Sequence, residues 1–115
     1  MVAVVVVEDD ALVGGALRRQ LREVLHVSAR VILDPMQAEA ALAEERPQVV
    51  ISDLNMPRRN GVEVLAMARE KFPSIRRCLL SGSLSQLRDE DLSRIEPCVL
   101  LHKPWSIDDL TQLLA

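Results

Sequence analysis

The chain has little of what marks several large classes of protein. Its 115 residues include no tyrosine, one phenylalanine and one tryptophan, so a folded core has to be built from aliphatic side chains. Acidic residues outnumber basic ones by 17 to 14, and the net charge of −3 argues against the basic face that nucleic-acid binding needs. No apolar run approaches the length of a membrane span. We expect a soluble domain that contacts neither nucleic acid nor membrane directly.

A secretion signal is also missing from the sequence pattern. The apolar run Val2–Val7 is too short for the apolar part of a signal peptide, and three acidic residues follow it. The two cysteines, Cys78 and Cys98, fit a reducing compartment as free thiols. They fall near the starts of predicted neighbouring strands, so they could be close in space, although burial as small side chains is the favoured interpretation. These features together predict a cytoplasmic location.

Short apolar runs alternate with helical patterns five times, which is typical of strands of a buried parallel sheet joined by helices. The predicted strands cover about 2–7, 28–33, 48–53, 76–81 and 98–102. The predicted helices cover about 11–26, 36–45, 61–72 and 84–95, and a fifth begins after Ser106 as its N-cap. Right-handed crossovers then place helices on both faces. We predict an α/β fold, a doubly wound five-stranded parallel sheet of flavodoxin-like order 2-1-3-4-5. The length and the lack of a linker predict one domain, residues 1–115.

Charged and hydroxyl side chains stand where four of these apolar runs stop. They are Glu8-Asp9-Asp10, Asp53, Ser81-Gly82 and Lys103-Pro104. Parallel strands end at one edge of the sheet, where open α/β sheets bind ligands, so these side chains should share one crevice. A carboxylate such as Asp53 can attack phosphorus as a nucleophile. Two like charges 4 Å apart repel by about 4 kcal/mol at an effective dielectric of 20, which a Mg²⁺ ion on oxygen ligands could cancel.

With the stretch Asp53–Gly61, these residues resemble the receiver domain of two-component response regulators. The order and spacing of positions 9, 53, 81 and 103 match that family, and the resemblance covers nearly the whole chain. The resemblance implies that Asp53 is the phosphoacceptor, that Ser81 and Lys103 bind the phosphoryl group, and that a cis peptide bond before Pro104 aims Lys103 into the site. It also implies a Mg²⁺ ion, which Mn²⁺ could replace. The ligands of this ion would be the carboxylates of Asp9 and Asp53, the backbone carbonyl of Asn55 and, through water, Glu8.

The resemblance also implies a function. The domain would accept a phosphoryl group from a phosphohistidine on a sensor histidine kinase or a histidine phosphotransfer protein. It would then shift the face formed by helix 4, strand 5 and helix 5, and so regulate a partner or an output domain that this chain does not include. Beyond its own phosphorylation and slow dephosphorylation, it would not be an enzyme.

The chain departs from the family pattern at four places, one of which is Trp105, after Lys103-Pro104, where Phe is commoner. Leu100 stands where Tyr or Phe is usual, so a switch that rotates an aromatic ring at this position cannot operate. Pro97-Cys98 replaces a common Gly-Ala pair, so the end of helix 4 could differ. Gly14-Gly15 lies early in helix 1, where each glycine costs about 1 kcal/mol relative to alanine; tolerance near a helix end is preferred to a partner contact. The arginine clusters at 18–22 and 76–77 are interpreted as solvated faces.

Each candidate residue also has a plain structural interpretation. Asp9 and Asp10 could cap helix 1, Asp53 could enter a turn, Ser81 could bond only to nearby backbone, and Lys103 could be solvated. For all of these structural interpretations to hold, four unrelated residues would have to fall by chance at four separate strand ends, which argues against them as a set. The cap interpretation is kept for Asp10.

Three rival functions remain for comparison. A phosphatase of the haloacid dehalogenase class would carry its nucleophile on the first strand, with a second Asp where this chain has Asn55. A flavodoxin-type nucleotide binder would need a glycine-rich loop after strand 1, where this chain is acidic. The third rival is a receiver-like module that is never phosphorylated, which the substitution at Leu100 keeps open.

Overall fold

The computed structural model of the protein describes residues 2–115 as a five-stranded parallel sheet with five α-helices. The strands are β1 (Val4–Val7), β2 (Ala29–Ile32), β3 (Val49–Asp53), β4 (Arg76–Ser81) and β5 (Cys98–His102). The helices are α1 (Ala11–Glu23), α2 (Ala38–Glu45), α3 (Gly61–Lys71), α4 (Asp89–Ile95) and α5 (Ile107–Leu114). The sheet order is β2-β1-β3-β4-β5 and every pair is parallel. The predicted fold class and strand order are confirmed.

Two aliphatic cores lie on opposite faces of the sheet. The larger core combines side chains of α2, α3 and α4 with one face of the strands. The smaller core combines α1 and α5 with the other face. All residues of β1 and β3 are buried, as the continuous apolar runs predict, whereas the edge strand β5 leaves Val99 and Leu100 37% and 38% exposed. Both cores are therefore thick around β1 and β3 and thin at the edge strand β5.

Three predicted helices are shorter than their apolar patterns suggest. Helix α1 ends at Glu23, before its predicted end near residue 26, and Val24 is 50% exposed. A 3₁₀ turn at Pro35–Gln37, capped by the Asp34 side chain on the Met36 amide, precedes α2. Another 3₁₀ turn at Leu84–Gln86 stands where helix 4 was predicted to begin. Proline and the short polar residues near these points favour turns, which helical periodicity alone does not reveal.

The glycine pair in α1 has an internal explanation that the sequence interpretation missed. A Cβ atom on Gly14 would lie 2.7 Å from Cγ1 of Val31 on β2, so the glycine lets the helix approach the sheet closely. A Cβ atom on Gly15 would meet nothing within 4 Å. Tolerance therefore describes Gly15, whereas Gly14 is required by packing.

The two cysteines lie on neighbouring strands but on opposite faces of the sheet. Cys78 belongs to the smaller core and Cys98 packs against the larger one. Both are free thiols, and burial raises the pKa of Cys98 to about 11 and that of Cys78 further. Side chains on opposite faces of a sheet cannot meet, so the positions of the two cysteines on neighbouring strands do not allow a disulfide.

Along residues 2–115, no helix has the length and apolar composition required to cross a membrane.

Candidate functional site

Three carboxylates meet at the carboxyl edge of the sheet, where two neighbouring strands end. Val7 of β1 lies opposite Ser52 of β3, so the residues that follow, Glu8 and Asp53, emerge side by side. Carboxylate oxygens of Glu8, Asp9 and Asp53 lie within 4.8 Å of one another. Glu8 and Asp53 are buried, at 2% and 8% exposure, and Asp9 is exposed. The predicted convergence of these residues is therefore present in the fold.

Lys103 joins the two buried carboxylates. Its ammonium nitrogen lies 2.8 Å from Oε1 of Glu8 and 3.0 Å from Oδ1 of Asp53. The Lys103 amide donates to the Ser81 carbonyl at 3.0 Å, which ties the backbone of this residue to the end of β4. The bond from Lys103 to Pro104 is cis, as the resemblance implied. A second cis bond, Glu96–Pro97, was not predicted. The solvated interpretation of Lys103 is wrong, because the residue is half-buried and doubly paired.

The site holds more negative charge than it can neutralise. Burial raises the pKa of Glu8 to about 7; the hydrogen bond from Lys103 opposes this shift, and the neighbouring Asp53 adds to it. Burial acts to lower the pKa of Lys103, but hydrogen bonds and attraction to Glu8 and Asp53 together raise it. Oε2 of Glu8 is buried and has no hydrogen-bond partner anywhere in residues 2–115. A buried carboxylate oxygen left unpaired costs free energy, and a bound cation at this position would remove that cost.

The start of α3 fixes the backbone of Asp53. A Cβ atom on Gly61 would lie 2.2 Å from the Asp53 carbonyl oxygen, so only glycine lets the helix begin this close to the strand. The Gly61 amide donates to the Leu54 carbonyl at 2.8 Å. Asn60 caps the helix by accepting from the Glu63 amide, and the Glu63 side chain accepts from the Asn60 amide in return. This packing role of Gly61 could be recognised only from the fold.

Comparisons with known proteins agree with this geometry. The sequence profile of the family described as "Response regulator receiver domain" matches residues 4–115. The chain belongs to this family. The response regulator protein FleR of Pseudomonas aeruginosa is 32% identical over 115 residues, covering 97% of this chain and 24% of FleR. The hydrogenase transcriptional regulatory protein HoxA of Cupriavidus necator is 38% identical over 79 residues, covering 69% of this chain and 16% of HoxA. The receiver domain thus spans a quarter or less of the length of these relatives.

Solved structures show the same fold. The chemotaxis protein CheY4 of Vibrio cholerae superposes with a TM-score of 0.86 at 22% identity, covering 99% of this chain and 96% of that one. The signal receiver domain of an HD domain-containing protein from Pseudomonas fluorescens superposes with a TM-score of 0.80 at 26% identity, covering 96% of this chain and 89% of that one. The receiver domain therefore belongs to two-component signal transduction, and its family generally binds Mg²⁺.

The receiver site fits that ion. The donor set is entirely oxygen, which hard cations such as Mg²⁺ prefer. The unpartnered Oε2 of Glu8 and the cluster formed with Asp9 and Asp53 provide negative charge that Lys103 alone does not balance. Asn55, two residues after Asp53, is exposed. Its side-chain amide donates to Gln86 at 3.5 Å, and this contact does not involve its backbone carbonyl.

Ser81 lies at the end of β4, 1% exposed. Its hydroxyl oxygen accepts a hydrogen bond from the Ser83 amide at 2.8 Å, which is a local backbone contact of the kind that the plain interpretation expects. The hydroxyl hydrogen is still available to donate. A serine that is held by an acceptor contact can add a donor contact without breaking it.

Asp10 and Leu100 are two further residues that the sequence analysis singled out. Asp10 caps α1, accepting from the Leu12 amide at 2.9 Å and the Val13 amide at 3.3 Å, as expected. Leu100 stands on β5 with 38% of its surface exposed, at the position where the family's ring is usual.

The sequence interpretation missed one contact that flanks the site. Arg58, in the left-handed conformation with φ 70°, lies 2.6 Å from an oxygen of Asp34. The Met36 amide and Arg58 together lower the pKa of Asp34. This pair joins the loop after β3 to the loop after β2, and no spacing rule links positions 34 and 58 in advance.

Proposed function

We propose that this receiver domain accepts a phosphoryl group on Asp53 from a phosphohistidine. The observation that carries the proposal is the geometry around Asp53, whose carboxylate is buried next to Glu8 and Asp9 with Lys103 at 3.0 Å. A carboxylate oxygen of Asp53 would attack phosphorus, the bond from phosphorus to the donor imidazole nitrogen would break, and that nitrogen would keep the electron pair.

Positioning and charge are what this transfer requires of the protein. Bound Mg²⁺ would supply positive charge against the nucleophile and the phosphoryl oxygens, held by Asp9, Asp53 and the Asn55 carbonyl, with Glu8 acting through water. Mn²⁺ should substitute because it accepts the same oxygen ligands. Lys103 would exchange its contact with Asp53 for one with a phosphoryl oxygen while keeping Glu8. The Ser81 hydroxyl would donate to another phosphoryl oxygen, and cis Pro104 would support the loop that carries the lysine.

The partners follow from this chemistry. The donor would be a sensor histidine kinase or a histidine phosphotransfer protein, and the phosphorylated face would act on a partner or on an output domain. Relatives named as transcriptional regulators, such as HoxA, support an output domain in the same protein. Residues 1–115 would work as one receiver unit in the cytoplasm, catalysing only its own phosphorylation and slow dephosphorylation.

The phosphatase alternative is less consistent with the site. That mechanism needs a second acid two residues after the nucleophile, and Asn55 occupies this position with its amide directed to Gln86. Asn cannot donate and regain a proton as an acid–base group does.

Intact-mass measurement after treatment with acetyl phosphate and Mg²⁺ tests the proposal. The wild type should gain one phosphoryl group, and Asp53→Asn should gain none. Asp10→Asn is the matched control, because Asp10 is a nearby carboxylate whose contacts are those of a helix cap. It should be phosphorylated like the wild type. A full adduct on Asp53→Asn, or an undiminished adduct in EDTA, would refute the assignment.

A further inference from the structure

Of the two arginines that open β4, Arg76 is exposed, as the sequence suggested, whereas Arg77 is not solvated. Arg77 is only 4% exposed. Its Nε donates to the carbonyl of Ile95, the last residue of α4, at 2.9 Å, and its Nη1 lies 3.5 Å from the Ile75 carbonyl. A buried guanidinium thus reaches from the start of β4 to the end of a helix.

Arg76 makes the equivalent contact on the opposite face of the sheet. Its Nη1 donates to the Leu113 carbonyl at 2.5 Å and to the Ala115 carbonyl at 3.0 Å, at the end of α5. Neighbouring residues of a strand point to opposite faces, so one dipeptide can serve two helices. The last carbonyls of a helix lack partners within it and carry partial negative charge, which suits a cation.

Helix α4 has few other attachments to the body of the domain. Only Ile95, in its last turn, is fully buried. Arg69 of α3 donates to the carbonyl of Ser93 at 2.5 Å, again in the last turn. At the other end, the Arg88 amide bonds to Asp91, which belongs to the same helix. Its ties to the rest of the domain are therefore concentrated near its carboxyl end.

Burial without a carboxylate is the notable property of Arg77. Within residues 2–115 no acidic side chain pairs with it, and burial lowers its pKa. An apolar side chain of similar volume would fill such a place at less electrostatic cost. What an apolar residue could not do is hold the Ile95 carbonyl.

We propose that Arg76 and Arg77 form a double clamp that fixes the carboxyl ends of α5 and α4 to the start of β4. The amino ends of these helices, which follow the loops after Ser81 and Lys103, are then the ends that can move when the site is occupied. The clamp itself is independent of the proposed function, whereas its consequence for signalling rests on it.

Amide hydrogen exchange in the metal-free protein tests the clamp directly. The Glu96 amide bonds to Leu92 at the end of α4, and the Ala115 amide bonds to Gln112 at the end of α5, so each reports one helix. Arg77→Met should speed exchange at Glu96 at least tenfold and at Ala115 less than twofold. Arg76→Met should do the reverse. Arg94→Met is the matched control, an exposed arginine of α4 outside the clamp, and should change neither amide more than twofold.

Addition of beryllofluoride with Mg²⁺ tests the consequence. In the wild type, amide shift changes should concentrate at residues 83–92 and stay small at 93–96. In Arg77→Met they should extend across 93–96, while phosphorylation by acetyl phosphate stays within twofold of the wild type. Arg77→Lys, which keeps one donor and the charge, should restore most of the wild-type pattern.

These measurements test the clamp, its consequence for signalling and the proposed function separately. Unchanged exchange at Glu96 in Arg77→Met would overturn the clamp, and so would a loss confined to Arg94→Met. If Arg77→Met does not fold, Arg76→Met and Arg77→Lys decide the question at Ala115 and Glu96. Wild-type shifts as large at 93–96 as at 83–92 would overturn the consequence alone. No response to beryllofluoride in any variant would refute the proposed function and leave the clamp to be judged by exchange.

Discussion

Helices α3 and α4 lie on the same face of the sheet, yet they are attached to it in very different ways. Helix α3 buries six of its eleven residues and begins with a reciprocal cap between Asn60 and Glu63. Helix α4 has seven residues, of which only Ile95 is buried, and a 3₁₀ turn replaces the first part of its predicted length. One helix is fixed along its whole length, and the other is held mainly at its end.

This difference matches what each helix adjoins. Helix α3 starts against the carbonyl of Asp53, so its rigidity would keep the proposed nucleophile in position. Helix α4 follows the loop from Ser81, where we propose that the response to phosphorylation begins. Segments that move are drawn from the less stable parts of a fold, and few buried apolar contacts is one sign of such a part. The molecule thus separates a fixed chemical half from a half that can respond.

The largest test of this comparison is a pair of leucine truncations. Leu65 of α3 is fully buried, and Leu92 of α4 is partly exposed. Leu65→Ala should lower the free energy of unfolding by about 2–5 kcal/mol, the usual range for a buried leucine. Leu92→Ala should lower it by about 1 kcal/mol or less. Urea melts of both variants measure this, and equal losses would contradict the distinction between the helices.

A pair of glycine substitutions tests the same comparison at the start of α3 and in the loop that leads to α4. Gly61→Ala would place Cβ 2.2 Å from the Asp53 carbonyl and 2.7 Å from Cδ1 of Leu79. We expect a loss of about 1–3 kcal/mol, as for other overpacked sites, together with slower phosphorylation. Gly82→Ala, on the α4 side, meets nothing within 4 Å and should stay within about 0.5 kcal/mol. Similar melting for the two variants would show that α3 tolerates displacement.

The third test uses Glu8→Gln to remove the excess negative charge at the site, which destabilises the half of the domain that α3 holds rigid. A carboxyl group whose folded pKa is raised from 4.5 to about 7 destabilises the fold. This penalty is absent below pH 4.5, grows between pH 4.5 and 7, and is complete above pH 7. Glu8→Gln should therefore stabilise the metal-free protein at pH 8 by about 1–2 kcal/mol and lose this advantage towards pH 4.5. The shift alone implies roughly 3 kcal/mol, but water screens the crevice and Lys103 loses a partner.

Urea melts in EDTA across this pH range provide the measurement. Asp10→Asn is the control, because its carboxylate is exposed and caps a helix. A Glu8→Gln gain that is independent of pH would mean that packing, and not charge, is responsible.

The smallest test uses two adjacent glycines of α1, one fixed by the sheet and one not. Gly15→Ala should raise the free energy of unfolding by about 0.5–1 kcal/mol, because alanine is the better helix former and space is open. Gly14→Ala should show no such gain, because its Cβ would press on Val31. Thermal or urea melts compare the two. A gain at Gly14 equal to that at Gly15 would mean that β2 yields easily.

The fold and the convergence of the site were predictable from local patterns. Continuous apolar runs specify buried strands, and parallel strands bring Glu8, Asp53, Ser81 and Lys103 to one edge whatever the details of the helices. The end of α1 and the start of α4 were less predictable, because a leucine or valine in a turn continues the helical period without being buried, as Val24 does.

Contacts between distant residues were beyond the sequence. The burial of Arg77 depends on where α4 ends, and the closeness of Gly14 to Val31 depends on how α1 crosses β2. An arginine is more often solvated than buried, so composition favoured the wrong interpretation for Arg77. The partner of Arg58, Asp34, lies on a different loop, and only the folded chain brings the two together.

The indole of Trp105 has a consequence for how this protein can be observed. Its nitrogen donates to the side chain of Gln20 on α1, and the residue lies two positions after Lys103. Because the chain has one tryptophan and no tyrosine, all of its fluorescence excited near the red edge of the absorption band comes from this ring. Any rearrangement of the lysine loop that alters the contact with Gln20 changes the surroundings of the only fluorophore. The receiver therefore carries an intrinsic optical reporter beside its chemical centre, and binding there can be followed in real time without a label.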